Sequence, residues 1–197
     1  MNHIGIFLDR DGTINYEIDF LRSPSDLQLI PGSAEAIKQA NDLGLKVFVI
    51  TNQSGIARGK ITEENLTEIH NVLQSELRGH GASIDKFYYC PHHPDAGELP
   101  YRIKCNCRKP DIGMLIEAKN EFNIDLTKSF VIGDKMIDIQ AGNKSGAKSI
   151  LVLTGYGKNE LSRCSEQNVI IDYIAKDLYE AMQFVKNTVE KEQLINS

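Results

Sequence analysis

The sequence lacks the long apolar run that a membrane-spanning helix requires. No stretch of its 197 residues approaches the roughly 20 consecutive apolar side chains that cross a bilayer. The N-terminus also has neither the basic segment nor the apolar core of a signal peptide. These absences predict a cytoplasmic protein that has no membrane partner.

An excess of positive charge is also absent. The 22 Lys and Arg residues are outnumbered by 27 Asp and Glu residues, so the net charge is −5. This balance argues against non-specific binding to nucleic acid. The ordinary shares of hydrophobic residues (41%) and charged residues (25%) exclude collagen-like, low-complexity and broadly disordered chains. The length predicts one domain over residues 1–197, with a core that needs no disulfide framework.

Cysteine is scarce, but its few positions are clustered. Three of the four cysteines, Cys90, Cys105 and Cys107, fall within 18 positions. In a reducing compartment such clustering indicates metal binding rather than disulfides. Together with His92, the three thiolates would form a closed tetrahedral Zn²⁺ site without an open position for catalysis. This pattern predicts a zinc-binding loop at about 90–107, with His93 as an alternative ligand.

Short β-rich runs alternate with amphipathic segments along most of the chain. The last and weakest of the six strand-like runs covers Asn168–Ile171. Ser33 is expected to cap the first helix, Pro110 to start the third, and residues 174–190 to form a helix at the tail. Near-continuous apolar runs are typical of strands buried on both faces. The order predicts a doubly wound parallel α/β sheet without a separate cap domain.

The strongest chemical signal follows the first strand, in Asp9-Arg10-Asp11-Gly12-Thr13. Ligands of open α/β sheets bind at the carboxyl ends of the strands. One carboxylate there could attack phosphorus, and the other could act as general acid and then as general base. The competing interpretation is an ordinary turn, which Asp and Gly also favour.

Three weaker signals follow later strands. Thr51-Asn52-Gln53-Ser54-Gly55 offers a hydroxyl and backbone N–H groups that suit phosphate oxygens. Lys109 could add a cation, and Asp134 could bind Mg²⁺ with Asp138 in support. Each has an ordinary alternative: a helix cap, a surface lysine and an acidic helix start.

The ordered set of four motifs resembles the haloacid dehalogenase (HAD) superfamily of phosphotransferases that use an aspartate nucleophile. The resemblance implies that Asp9 is the nucleophile and that Asp11 is the acid and base. It also implies that Thr51 and Lys109 bind the transferring phosphoryl group. Asp9, the backbone carbonyl of Asp11 and Asp134 would hold a catalytic Mg²⁺.

Five longer motifs resemble one branch of this superfamily: FLDRDGTIN, TNQSGIARG, YYCPHH, CNCRKP and GDKMIDIQAG. That branch contains heptose 1,7-bisphosphate 7-phosphatases and histidinol-phosphate phosphatases. The resemblance implies Mg-dependent removal of the 7-phosphate of D-glycero-D-manno-heptose 1,7-bisphosphate, a small sugar phosphate, and a structural Zn²⁺. The positions expected to contact substrate are Glu17, Ile18, Asp19, Phe20, Thr51, Asn52, Gln53, Ser54, Arg108 and Lys109.

Two other functions compete with this hypothesis. A histidinol-phosphate phosphatase would share the chemistry, but a guanidinium at Arg108 repels an ammonium and favours a second phosphate. Arg58 is a candidate for a second cation nearby. A catalytically silent, zinc-stapled binding module is disfavoured because all four acidic and basic motif residues are present. The tail helix has no long apolar seam, so a monomer is expected.

Overall fold

The chain folds as a parallel sheet flanked by helices. The structure is a computed structural model, and it describes residues 2–195. The strands are β1 (Gly5–Leu8), β2 (Lys46–Asn52), β3 (Lys86–Cys90), β4 (Phe130–Gly133), β5 (Lys148–Val152) and β6 (Tyr173–Ala175). The helices are α1 (Ser33–Asp42), α2 (Glu63–Gly79), α3 (Gly113–Phe122), α4 (Met136–Ser145), α5 (Gly157–Glu166) and α6 (Leu178–Ile195). Single turns of 3-10 helix lie at Pro24–Asp26 and Leu126–Lys128.

Side chains of the central strand β1 alternate between two hydrophobic cores. Ile6 and Leu8 face the core that α1, α2 and α6 cover. Phe7 faces the opposite core beneath α3 and α4, where its ring stacks on Phe48 with 5.1 Å between centroids. Because both faces are covered, a strand of four apolar or small residues is buried along its whole length. This arrangement confirms the predicted doubly wound sheet.

The strand order brings three chemical motifs together. The sheet runs β3-β2-β1-β4-β5-β6, and each pairing between neighbours is parallel. The order reverses between β1 and β4, which pair directly. Such a switch point opens a crevice at the carboxyl ends of the strands. The loops after β1, β2 and β4 therefore converge on one edge of the sheet.

Helix α2 begins as its sequence indicates. The Thr62 hydroxyl accepts a hydrogen bond from the Asn65 amide at 3.2 Å, and the Asn65 side chain reaches back to the backbone of Thr62. This reciprocal capping box satisfies amide groups that the first helical turn leaves free. The buried face of α2 consists of residues spaced three or four apart, namely Leu66, Ile69, His70, Leu73 and Leu77.

Two predicted helix starts are wrong. Ser33 is the first residue of α1, and Gly32 occupies the capping position. The Ser33 hydroxyl does not cap the helix, because it faces the carbonyls of Ile14 (2.8 Å) and Ile30 (2.7 Å) as a donor. It joins the helix to the preceding loop instead. The third helix begins at Gly113 rather than at Pro110. The intervening residues form a turn in which the amide of Gly113 donates to the carbonyl of Asn106 at 2.8 Å.

The end of the chain also differs from its prediction. Asn168–Ile171 forms no strand; the last strand is β6, paired with β5. Helix α6 therefore begins at Leu178, not at residue 174. Helix α5, which sequence periodicity did not reveal, precedes β6. Its exposed face is strongly polar, and only Gly157, Glu160 and Cys164 are buried. The helix therefore lacks the wide apolar stripe by which an amphipathic helix is recognised in a sequence.

Long irregular segments border the switch point. Between β1 and α1 the described chain holds a single 3-10 turn, and between β3 and α3 it holds no helix or strand. No cap domain is inserted at either place. Among residues 2–195, no helix combines the length and the apolar character needed to cross a membrane.

Candidate active site

A buried lysine joins two carboxylates at the carboxyl end of the central strands. The Nζ atom of Lys109 lies 2.8 Å from Asp9 Oδ1 and 2.6 Å from Asp138 Oδ1, and it donates to the carbonyl of Ile50 at 2.6 Å. Burial alone would lower the pKa of Lys109, but the charges of Asp138 and Asp9 raise it. Lys109 therefore stays a cation with both carboxylates at hand, not a solvated surface lysine.

Asp134 brings a carboxylate oxygen that has no protein partner. Its Oδ2 accepts the amide of Tyr156 at 2.8 Å, whereas its buried Oδ1 has no hydrogen-bond partner among the described residues. A side chain at Gly12, whose φ is +86°, would collide with this carboxylate, so the glycine of the first motif makes room for it. Burial and the adjacent Asp9 charge raise the pKa of Asp134 to about 8.

These carboxylates fit a hard cation. Asp9, Asp134 and Asp138 are all buried, and each offers an oxygen within 4.8 Å of the others. Lys109 pairs with Asp9 and Asp138 but supplies only one positive charge. The unpartnered oxygen of Asp134 marks the side on which further positive charge is missing. Oxygen ligands of this kind suit Mg²⁺. Burial also raises the pKa of Asp138, to about 6 despite the nearby Lys109.

The Asp11 carboxylate is held by hydrogen bonds from three side chains. Arg10 donates to both carboxylate oxygens, with Nη2 at 2.9 Å from Oδ1 and 2.7 Å from Oδ2. Asn15 Nδ2 donates to Oδ1 at 2.9 Å, and Gln53 Nε2 donates to Oδ2 at 3.0 Å. Burial would raise the pKa of Asp11, but the Arg10 guanidinium and these hydrogen bonds hold it below its ordinary value.

The residues at the carboxyl end of β2 are largely engaged with protein partners. Thr51 Oγ1 accepts from Gln53 Nε2 at 2.8 Å. The side-chain amide of Asn52 pairs with the backbone of Lys109, donating to its carbonyl and accepting from its N–H, both at 3.0 Å. Asn52 therefore fixes the segment that carries the lysine. Ser54 follows these residues and, with Thr51 and Asn52, lines the inner of the two cavities described below.

Two adjoining cavities open at this edge of the sheet. The inner one, of about 190 Å³, is lined by Asp9, Asp11, Thr51, Asn52, Ser54, Arg108, Lys109, Lys135 and Ile137. The second, of about 270 Å³, is walled by the predicted segment Glu17–Phe20 together with Asp11, Gln53 and Tyr156. The fold thus brings the predicted catalytic and substrate-contacting side chains around two neighbouring cavities, which share Asp11, Asn52, Ser54 and Lys135.

Lys135 lines both cavities but was not among the residues that the motifs predicted. Its Nζ atom forms an ion pair with Glu17 at 2.8 Å and lies 4.8 Å from the centre of the Tyr156 ring. Burial would lower the pKa of Lys135, but the charges of Asp9, Asp134 and Glu17 raise it. The signal that could have revealed it is its place directly after Asp134, at the end of a central strand.

The four predicted zinc ligands are also gathered. The Sγ atom of Cys107 lies 3.2 Å from that of Cys90 and 3.3 Å from that of Cys105, and His92 Nδ1 lies 3.4 Å from Cys107 Sγ. A tetrahedral Zn²⁺ with ordinary bond lengths has ligand–ligand edges of about 3.6 to 3.8 Å. The shortest separations are slightly below these edges, while Cys90 Sγ lies 3.5 Å from Cys105 Sγ and 3.8 Å from His92 Nδ1. A small outward shift of the ligands would make a closed site, in which His92, not His93, is the imidazole.

Arg108 connects this cluster to the cavity. Its Nη1 donates to the carbonyl of His92 at 3.1 Å, while the side chain also lines the inner cavity. Arg58 is exposed and contacts His93 Nε2 through Nη2 at 3.2 Å. Burial first, and then the charges of Arg108 and Arg58, lower the pKa of His93. Both guanidinium groups therefore lie close to the same imidazole.

Comparison with known proteins agrees with this geometry. The pattern of the HAD-hydrolase-like family matches residues 106–181. A D-glycero-beta-D-manno-heptose-1,7-bisphosphate 7-phosphatase of Photorhabdus laumondii is 43% identical over 183 residues, which cover 92% of this chain and 96% of that protein. The D-glycero-D-manno-heptose-1,7-bisphosphate 7-phosphatase of Chlorobaculum tepidum is 39% identical, covering 90% and 91% of the two chains.

A solved structure shares the whole fold. The D,D-heptose 1,7-bisphosphate phosphatase of B. bronchiseptica, crystallised with magnesium and phosphate, superposes with a TM-score of 0.83 at 32% identity. The match covers 93% of this chain and 98% of that one. Identity and coverage of this extent show common descent along nearly the entire chain. The chain belongs to the HAD-like hydrolases, in the family of the D-glycero-D-manno-heptose-1,7-bisphosphate 7-phosphatases.

Proposed function

We propose that this protein removes the 7-phosphate of D-glycero-D-manno-heptose 1,7-bisphosphate. The observation that carries the proposal is the pairing of Asp9 with Lys109 at 2.8 Å beside the unpartnered oxygen of Asp134. This arrangement supplies a nucleophile, a fixed cation and a place for a metal ion at one point. The names of the two relatives described above specify the same substrate. We propose that residues 1–197 act as one domain, with a zinc loop at about 90–107.

The first step transfers the phosphoryl group to the protein. An Asp9 oxygen attacks phosphorus, and the bond between phosphorus and the sugar O7 breaks as the aspartyl phosphate forms. Lys109 and the hydroxyl of Thr51 offer positive charge and a hydrogen bond to the phosphoryl oxygens. The carboxyl of Asp11 gives its proton to the departing O7.

The second step releases inorganic phosphate. Asp11, now a carboxylate, takes a proton from the water that attacks phosphorus, and the bond to Asp9 breaks. The ion pair with Arg10 favours this ionised form. In the first step the charge of the bound phosphate opposes ionisation of Asp11 and so favours the proton that it donates.

Two metal ions complete the proposal. The carboxylates of Asp9 and Asp134, with the backbone carbonyl of Asp11, would hold Mg²⁺. When bound, this ion neutralises phosphoryl charge and orients the group for in-line attack. Zn²⁺ on Cys90, His92, Cys105 and Cys107 would fold the loop that carries Arg108. With four protein ligands it would have no catalytic role.

We assign substrate selection to Arg108 and to the residues that wall the two cavities. Arg108 would bind the second phosphate, because its planar fork matches two phosphate oxygens. Residues 17–20 would line the sugar, and Asn52, Gln53 and Ser54 would shape the wall. We expect a small-molecule substrate, a cytoplasmic setting and a monomeric chain, with no nucleic-acid or membrane partner.

The test is steady-state phosphate release with Mg²⁺ present. Both anomers of the heptose 1,7-bisphosphate are compared with histidinol phosphate. We expect kcat/KM for one bisphosphate anomer to exceed that for histidinol phosphate by about 100-fold or more, equivalent to about 2.7 kcal/mol of transition-state binding. A preference for histidinol phosphate would reject the proposal.

The Arg108→Ala variant tests the assignment of the second phosphate. We expect kcat/KM for the bisphosphate to fall about 10- to 100-fold, since a charged hydrogen-bonding partner is lost. Turnover of p-nitrophenyl phosphate, which has no second phosphate, should change less than about 3-fold. Arg102→Ala, at an exposed arginine of the same loop, is the matched control. Equal losses on both substrates would remove Arg108 from recognition.

A further inference from the structure

Arg10 is a fully buried arginine that the proposed chemistry does not use directly. Its relative exposure is 0%, although it lies between the two aspartates of the first motif. Its Nε and Nη2 atoms donate to Asp11, and its Nη1 faces His70 Nε2 at 3.2 Å. A buried guanidinium needs an acceptor for each of its outward N–H groups. His70 supplies the acceptor that Asp11 cannot reach.

His70 is held in the neutral form that this role requires. It lies on the buried face of α2, and its ring stacks on Phe87 with 4.6 Å between centroids. Burial and the Arg10 charge lower the pKa of His70 to about 3. Because Nε2 faces a guanidinium N–H, which can only donate, the neutral ring that satisfies this contact carries its proton on Nδ1 and accepts through Nε2. Stacking on Phe87 fixes the plane of the ring.

The contacts form a chain from the core to the reacting edge. His70 lies on α2 and packs against Phe87 of β3. Its Nε2 contacts Arg10 Nη1, and Arg10 Nη2 donates to both carboxylate oxygens of Asp11. Asp11 in turn lines both cavities. We propose that His70 and Arg10 are positioning residues that fix the direction in which the Asp11 carboxyl faces the leaving group. The inference rests on the role proposed above for Asp11.

The geometry predicts a specific kinetic effect. A misdirected acid slows expulsion of a sugar alkoxide, which needs a proton, but not of p-nitrophenolate, which leaves without one. The ratio kcat/KM reports events up to departure of the alcohol, so it isolates this half of the reaction. A purely structural role for His70 would lower both activities together.

The experiment compares kcat/KM of His70→Phe on heptose 1,7-bisphosphate and on p-nitrophenyl phosphate. We expect a loss on the sugar substrate about 10-fold greater than the loss on the aryl substrate. His70→Gln, whose amide oxygen can accept from Arg10, should recover most of that difference. Should His70→Phe fail to fold, His70→Leu removes the same acceptor with a smaller side chain. Equal losses on both substrates, or none, would overturn the proposal.

Two controls separate this inference from the assignments beneath it. Phe87→Leu removes the stacking partner of His70 but leaves the Arg10 acceptor, so it should lower stability and change the ratio of the two activities far less than His70→Phe does. Asp11→Asn calibrates the assay. If it shows no preference between leaving groups, the role of Asp11 fails and the inference with it. If Asp11→Asn discriminates and His70→Phe does not, the inference alone is wrong.

Discussion

Replacing Asp9 by Asn should abolish turnover and leave the fold intact. The amide is nearly the same size but is a very poor nucleophile towards phosphorus, so no aspartyl phosphate forms. We expect phosphate release from both the sugar bisphosphate and p-nitrophenyl phosphate to fall by about 10⁴-fold or more. The loss should be equal on the two substrates, because the nucleophile is common to both.

Stability should hardly change in Asp9→Asn. Lys109 keeps its 2.6 Å ion pair with Asp138, and the charge removed also repels Asp134. We therefore expect a Tm within a few degrees of the wild type. Asp111→Asn is the matched control, since Asp111 is exposed and pairs with Lys144 at the surface. Turnover within about 10-fold of the wild type would remove Asp9 as the nucleophile.

The sequence predicted the architecture because its signals are local and strong. A four-residue strand such as β1, followed at once by two aspartates and a glycine, indicates both a buried parallel strand and its functional end. The fold class and the family are both confirmed. The roles of the individual site residues stay predictions until they are tested by substitution.

The predicted boundaries of helices and strands were wrong where long-range contacts decide them. Ser33 has the composition of a helix cap, but its hydroxyl bonds to Ile14, a partner 19 positions away. The short strand β6 exists because β5 offers it an edge, not because its own residues form a strong apolar run. Sequence periodicity reports neither kind of contact.

The parts of the site that sequence reasoning missed are those that act through space. Lys135 joins the site by contacting Glu17, 118 positions away. Arg10 and His70 are 60 positions apart, and each has an ordinary structural interpretation alone. Their relation becomes visible only when α2 is packed on the sheet. Motifs therefore predicted residues that line the inner cavity, whereas the residues that hold them had to be found in three dimensions.

Replacing Cys107 by Ser should release the zinc and destabilise the loop that supports Arg108. Cys107 lies at the centre of the cluster, within 3.4 Å of the other three ligand atoms. A serine hydroxyl is a far weaker ligand for Zn²⁺ than a thiolate. The segment between β3 and α3 has no helix or strand to keep it folded. We expect the free energy of unfolding to fall by about 4 kcal/mol or more.

The Cys107→Ser substitution should affect turnover of the bisphosphate more than turnover of p-nitrophenyl phosphate. Arg108 is tied to the loop through the carbonyl of His92, so KM for the bisphosphate should rise, while kcat on p-nitrophenyl phosphate changes little. Elemental analysis under reducing conditions and calorimetry measure the zinc content and the stability. Cys164→Ser, at a buried cysteine outside the cluster, should keep one zinc per chain. A wild-type protein without zinc, or a Cys107→Ser protein that retains it, would refute the site. If the expected results are obtained, zinc acts on substrate choice through folding alone, because the loop that it folds places the Arg108 guanidinium beside the inner cavity.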